Sequence, residues 1–151
     1  MQTEEDIMFM RVALEEAVHA FDKGEVPVGA LVVRGGNIIS KAHNLRETTK
    51  DPSAHAEILA LRAATHLSDS WRLLDATLYV TKEPCIMCSG AIINSRISRI
   101  VYGCKDSKAG GVDSVYRILS DDRLNHQVEV VSGVLESESA ALLQRFFKER
   151  R

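Results

Sequence analysis

Apolar residues return at helical intervals early in the chain: Ile7, Met10, Leu14, Ala17, Val18 and Phe21 trace one face. Thr3, with Asp6 three residues on, has the form of a capping box, so a first amphipathic helix is expected up to Lys23-Gly24. The period then changes. "VGALVVR" and "NIISKAHN" are β-rich runs separated by Gly35-Gly36, a pair suited to a two-residue hairpin turn. After the turn-forming "DPS", the segment "AHAEILALRAATHL" has helical composition, and "ATLYVT" is a short apolar strand fit for the interior of a sheet. Beyond Pro84, "CIMCSGAIINSR" predicts a buried helix, "ISRIVYG" a fourth strand and "VEVVSGV" a fifth. A last helix runs from about Ser137 to the end. Glu136 and Glu138 near its start and Lys148, Arg150 and Arg151 at its finish complement the helix dipole.

The resulting order is α-β-β-α-β-α-β, an irregular or helical segment, then β-α. It predicts an α/β fold in which a mixed five-stranded sheet is covered by helices on both faces, a three-layer α/β/α sandwich. Residues 104–126 fit neither period, because Gly110-Gly111 and Asp121-Asp122 interrupt them. With no repeat, low-complexity tract or linker in view, residues 1–151 read as one domain.

Composition narrows the function classes. The 151 residues are 45% apolar and 26% charged, as in an ordinary globule. A formal net charge of −2 gives no global basic field, so any nucleic-acid affinity must come from a local patch. That disfavours a non-specific coat protein. "MQTEEDIMFM" is acidic where a signal peptide would be basic, and no apolar run approaches the roughly 18 residues of a membrane span. A cytoplasmic protein with no membrane partner is expected.

Three cysteines, Cys85, Cys88 and Cys104, are too few and too odd in number for a disulfide framework. The Cys-x-x-Cys of "TKEPCIMCSG" follows a strand and opens a helix, a placement that suits a redox dithiol as well as a metal site. What separates the two is "HAE", His55-Ala56-Glu57, at the head of another expected helix. One imidazole and two thiolates make three protein ligands for zinc, leaving a fourth position for a water that can ionise near neutral pH. A carboxylate beside that water is then needed to move protons, and Glu57 is the candidate. Residues two apart on a regular helix point about 200° apart, so the pair requires His55 to stand at the very entrance of the helix. Asp51-Pro52-Ser53 provides a turn that allows this. One alternative stays open: Cys104 as a fourth ligand would close a structural site and leave Glu57 without a role. Cys104 is read instead as a free, partly buried thiol near the pocket.

"H-A-E" and "P-C-I-M-C" together match the pattern H-x-E…P-C-x-x-C of zinc deaminases. With the flanking "EVPVGALVV", "HNLRETTKDPSAHAEILALR", "DATLYVTKEPCIMC", "LNHQVEV" and "LLQRFFKERR", the chain resembles the bacterial tRNA-specific adenosine deaminases of the cytidine-deaminase-like superfamily over nearly its whole length. The resemblance implies hydrolysis of adenosine to inosine at the wobble position of a tRNA anticodon, with the anticodon stem-loop as partner and a homodimer as the assembly. It implies one Zn2+ per chain on His55, Cys85 and Cys88, and Glu57 as proton shuttle. Asn44 matches the position that hydrogen-bonds the flipped base, and Val28 and Pro27 an apolar wall against it. Asp106, Lys108 and Asn125 fall in loops that match RNA-contacting positions; Arg145 and Phe146, with Phe147, Lys148 and Arg150, offer charge and a π-face on the last helix. The sequence departs from the family pattern in "CKDSKAGGVDSVYRILSDD", where Cys104 and Gly110-Gly111-Val112 stand in place of the usual small residues. The competing readings are a free-base or nucleotide deaminase of guanine or cytosine type with the same zinc site, and a zinc-stabilised RNA-binding module without catalysis.

Overall fold

The computed structural model describes residues 2–150. Among them the elements run α1 (Glu4–Asp22), β1 (Gly29–Arg34), β2 (Asn37–His43), α2 (Arg46–Thr49), α3 (Ala56–Leu67), β3 (Ala76–Lys82), α4 (Ile86–Ser95), β4 (Arg99–Cys104), β5 (Glu129–Val131) and α5 (Glu136–Glu149). The sheet order is β2-β1-β3-β4-β5. β1 is antiparallel to both β2 and β3, whereas β3, β4 and β5 are parallel, so the sheet is mixed as expected.

Strand alternation sorts the core into two layers. Ala30, Val32, Leu78, Val80, Ile100 and Tyr102 face α3 and α4, where Ala56, Ala60, Ala64, Ile92 and Ile93 meet them. Leu31, Val33, Tyr79 and Val101 point the other way, onto Phe9, Met10 and Ala13 of α1. α5 lies on this second face, against β4 and β3. Both faces of the central strands are covered, which is why they read as continuous apolar runs.

Local signals act where the sequence places them. Thr3 Oγ1 accepts from the Asp6 N–H and the Asp6 carboxylate accepts from the Thr3 N–H, both at 3.1 Å, closing the capping box of α1. Gly35 and Gly36 have φ of 58° and 78°, the left-handed pair that a two-residue hairpin turn requires. Three expectations change. β5 is three residues long rather than the full "VEVVSGV", because Gly133 and Leu135 take positive φ and turn the chain into α5. Asn44 lies just beyond β2 rather than in it, and a single helical turn, α2, follows where only a connection was expected. The segment 105–126 is irregular, mostly turns and bends, and is tied to the body mainly through Glu83.

Candidate active site

Two helices begin side by side at the C-terminal edge of the sheet, with His55 and Cys85 at their entrances. His55 is the N-cap of α3, with φ −77° and ψ 151°; Cys85 is the N-cap of α4, with φ −77° and ψ −178°. Both are extended, so their side chains leave the helix axis, and the requirement that His55 stand at the entrance is met. Neither side chain caps its own helix. For α3 that duty passes to Asn44, whose Oδ1 accepts from the Ala56 N–H at 2.7 Å. The approach is held by an Asx turn in "DPS", where the Asp51 carboxylate accepts from the Ser53 N–H at 2.8 Å and the Ser53 hydroxyl at 2.7 Å.

His55 Nδ1 stands 3.6 Å from Cys85 Sγ and 3.5 Å from Cys88 Sγ, and the three ligand atoms all lie within 4.8 Å of one another. A tetrahedral zinc with bonds of about 2.3 Å to sulfur and about 2.0 Å to nitrogen spaces its nitrogen and sulfur ligands about 3.5 Å apart. The donor set therefore fits zinc in both kind and spacing. The Cys88 thiol and the His55 imidazole hydrogen-bond Cys85 and hold its thiol down to about 4, a thiolate poised for a cation. Cys88, bonded to that thiolate and buried, is pushed up, and His55 is raised by its bond to Cys85. Cys104 takes no part in the cluster: it is buried at the end of β4, its Sγ 3.7 Å from the Thr81 carbonyl.

A cleft of about 200 Å³ opens over these ligands, lined by Val26, Val28, Asn44, Arg46, His55, Glu57, Lys82, Glu83, Cys85, Asp106 and Phe147. Glu57, on the first turn of α3, is almost fully buried, and burial pushes its carboxyl up. Because Asn44 Oδ1 is committed to α3, only its Nδ2 is left to donate into the cleft. Asp106 closes one wall, ion-paired to Lys82 at 3.0 Å and accepting from the N–H groups of Lys108 and Ala109. Glu83 anchors the same wall from inside. Its carboxylate accepts from the N–H groups of Asp106, Val112, Asp113 and Ser114 and from the Ser114 hydroxyl.

Other residues singled out in the sequence lie further off. Lys108 faces a second, larger cleft of about 740 Å³ with Lys82, Lys105, Asp106, Phe147 and Arg150, a basic groove running on from the first. Pro27 is buried beside the wall that Val26 and Val28 form. Asn125 is exposed on the loop before β5 and does not line the cleft. Arg145 is occupied by Glu149 at 3.4 Å and by the Phe21 ring at 4.7 Å. Phe146 needs correction as a π-face for substrate: it is 4% exposed, packed edge-on against Phe21 at 5.8 Å with Arg150 stacked at 3.7 Å. Phe147, 47% exposed, is the ring that looks into both clefts. Val26, Arg46, Lys82 and Glu83 were missed. For Glu83 a signal existed, an acid between an apolar strand and the Pro84-Cys85 turn, where a buried charge needs many donors.

An α/β/α sandwich that brings His-x-Glu and Cys-x-x-Cys together at two helix entrances defines a nucleobase deaminase of the zinc class. The MafB19-like deaminase family model matches residues 4–151. The tRNA-specific adenosine deaminase of Bacillus subtilis (strain 168) is 49% identical over 147 residues, 97% of this chain and 91% of that one. Its counterpart in Aquifex aeolicus (strain VF5) is 52% identical over 143 residues, 95% of this chain and 94% of that one. A solved structure from work on A-to-I editing by tRNA:A34 deaminases at the wobble position superposes with a TM-score of 0.86 at 44% identity, covering 89% of this chain and 98% of the other. The chain belongs to the family of tRNA-specific adenosine deaminases.

Proposed function

We propose that the protein converts adenosine to inosine in tRNA by hydrolysis, at the wobble position of the anticodon, with the whole chain acting as one deaminase domain. The observation that carries this reading is the tetrahedral spacing of His55, Cys85 and Cys88 around a cleft that also holds Glu57. Those three residues would hold one zinc ion per chain, and zinc bound there supplies a water ionised near neutral pH as nucleophile.

The remaining work falls to side chains of the cleft. Glu57 takes a proton from the attacking water and delivers it to the ring nitrogen next to C6; it then takes the second proton from the hydroxyl now on C6 and passes it to the amine, which leaves as ammonia as the C6 carbonyl forms. A buried carboxyl whose affinity for protons is raised suits both halves of that exchange. Asn44 Nδ2 donates to an acceptor on the purine edge, and Val26 and Val28 form the apolar side of the pocket. Phe147 offers a stacking face to a neighbouring base, and Lys82, Lys105, Lys108 and Arg150 supply charge for backbone phosphates of the anticodon stem-loop. Asn125 and Arg145 serve RNA further from the reacting base.

The functional assembly is a homodimer in the cytoplasm. Support for a self-contact comes from an apolar groove between α3 and α4, lined by Ile58, Leu61, Trp71 and Ala91, with exposed Leu67 nearby. No helix among the described residues is long and apolar enough to cross a membrane.

The test is ammonia release from folded tRNA, its anticodon stem-loop, adenosine, guanine and cytosine in parallel, with inosine identified by mass spectrometry of digested RNA. Release from the two RNAs alone is expected. Release from guanine or cytosine with inert RNA would replace this reading with a free-base deaminase.

A further inference from the structure

Away from the cleft, on the α1 side of the sheet, a second set of metal-binding groups comes together. Glu16 and His19 occupy one turn of α1, three residues apart and so on one face of the helix. His43 ends β2 and turns its ring to the same point. Glu16 Oε1 is 2.9 Å from His43 Nδ1 and Glu16 Oε2 is 3.4 Å from His19 Nδ1, so each carboxylate oxygen faces a different imidazole. One ligand atom from each residue lies within 4.8 Å of the other two.

We propose that Glu16, His19 and His43 form a second divalent-metal site, of two imidazoles and a carboxylate, separate from the one under the cleft. Two imidazoles and a carboxylate are a donor set that zinc and nickel accept, and without sulfur the set is distinct from the thiolate pair at Cys85 and Cys88. Its spacing is held by the fold. His43 pairs with Gly29 in the sheet, and Gly29 lies so close to α1 that an added Cβ would meet the Ala13 carbonyl at 2.0 Å. Helix and strand therefore have a fixed separation at this point. Glu16 is buried while the His19 side chain is 59% exposed, which leaves an entry path and room for water to complete the coordination.

Lys23 competes with the ion. Its Nζ sits 3.0 Å from His43 Nε2 and can only donate there, which puts the imidazole proton on Nδ1, facing Glu16. A metal on Nδ1 requires the proton to move to Nε2, and a metal on Nε2 requires the place of Lys23 itself. In either case the lysine must withdraw. Loss of Lys23 should then tighten binding, a sign that no merely structural role for these residues predicts.

Protein carrying one equivalent of zinc is titrated with Ni2+ by calorimetry, with absorbance and zinc release followed in the same samples. One further equivalent is expected, with no thiolate-to-nickel charge-transfer band and no zinc released. His19→Ala, at an exposed position that leaves the fold intact, should weaken that event at least tenfold, since losing even an outer partner of a metal ligand costs about 10- to 100-fold. Lys23→Met should tighten it. The assignment is overturned by the absence of a second equivalent, by a charge-transfer band with zinc release, by unchanged affinity in His19→Ala, or by affinity in Lys23→Met no tighter than in the parent protein.

Discussion

Replacing Glu83 by Gln changes one atom and no shape, yet it strikes the most heavily bonded side chain of the site. Glu83 is 2% exposed; Oε1 accepts from the Asp106 N–H at 3.0 Å and from the Ser114 hydroxyl, and Oε2 from the N–H groups of Val112, Asp113 and Ser114 at 3.1, 2.8 and 3.0 Å. In the best orientation of the amide, its oxygen keeps the three N–H groups of Oε2 and its NH2 faces the Asp106 N–H, donor against donor. One charge-assisted bond, about 1.5–3 kcal/mol, is lost, and three fall to roughly half strength, about 1 kcal/mol each. Cheaper burial of the neutral amide offsets part of this, leaving a cost of about 3–5 kcal/mol. Fast exchange should appear at the amides of Asp106, Val112, Asp113 and Ser114, read by hydrogen exchange on zinc-loaded protein, together with a denaturation midpoint lowered to match. If only this wall loosens, turnover on tRNA falls while the zinc content stays. Exchange and denaturation both within about 0.5 kcal/mol of the parent would refute the view that Glu83 holds the 106–114 wall.

Asp6 is buried at the opposite edge of the sheet; burial alone would raise its carboxyl, but bonds from Arg99 at 2.7 and 2.8 Å, the Tyr79 hydroxyl at 2.8 Å and the Thr3 N–H hold it down to about 2. Because the folded value lies below the unfolded 3.8, the stabilisation is complete above about pH 4 and is lost as pH falls towards 2; it amounts to about 2 kcal/mol. Asp6→Asn should cost at least that at pH 7 and flatten the acid limb of denaturation, and an unchanged limb would count against the network. Phe147→Ala should weaken tRNA binding by about 5- to 150-fold, the range of one lost base–aromatic stack, with zinc content unchanged; equal affinity by fluorescence titration would remove Phe147 from the RNA surface. Cys104→Ala should keep its zinc by elemental analysis, and loss of the metal would make Cys104 a ligand and the site a closed, structural one.

Much of this was legible in the chain because the deciding signals are local. The capping box at Thr3 and Asp6, the Gly35-Gly36 turn and the alternation in "ALVV" and "TLYVT" each specify an element from a few neighbours. The ligand trio was legible for a chemical reason: an imidazole and two thiolates at helix entrances have few other uses. What escaped notice depends on contacts far apart in sequence. Phe146 and Phe147 are adjacent and chemically identical, and only the packing of α5 on Phe21 decides which ring is buried. Asn44 was legible as a polar residue at the pocket, but its cap on Ala56, which leaves the His55 ring free of capping, spans a connection with no periodic signal. Glu83 gathers donors from a segment about 30 residues away that has no repeat to read.

The central claim is that Glu57 moves protons beside a zinc ion it does not hold. Parent protein and Glu57→Ala are analysed together for bound zinc and for inosine formed in tRNA. The account predicts one zinc per chain in both and inosine from the parent alone. Inosine formed by Glu57→Ala at a rate near the parent's, or loss of zinc on making that change, would contradict it.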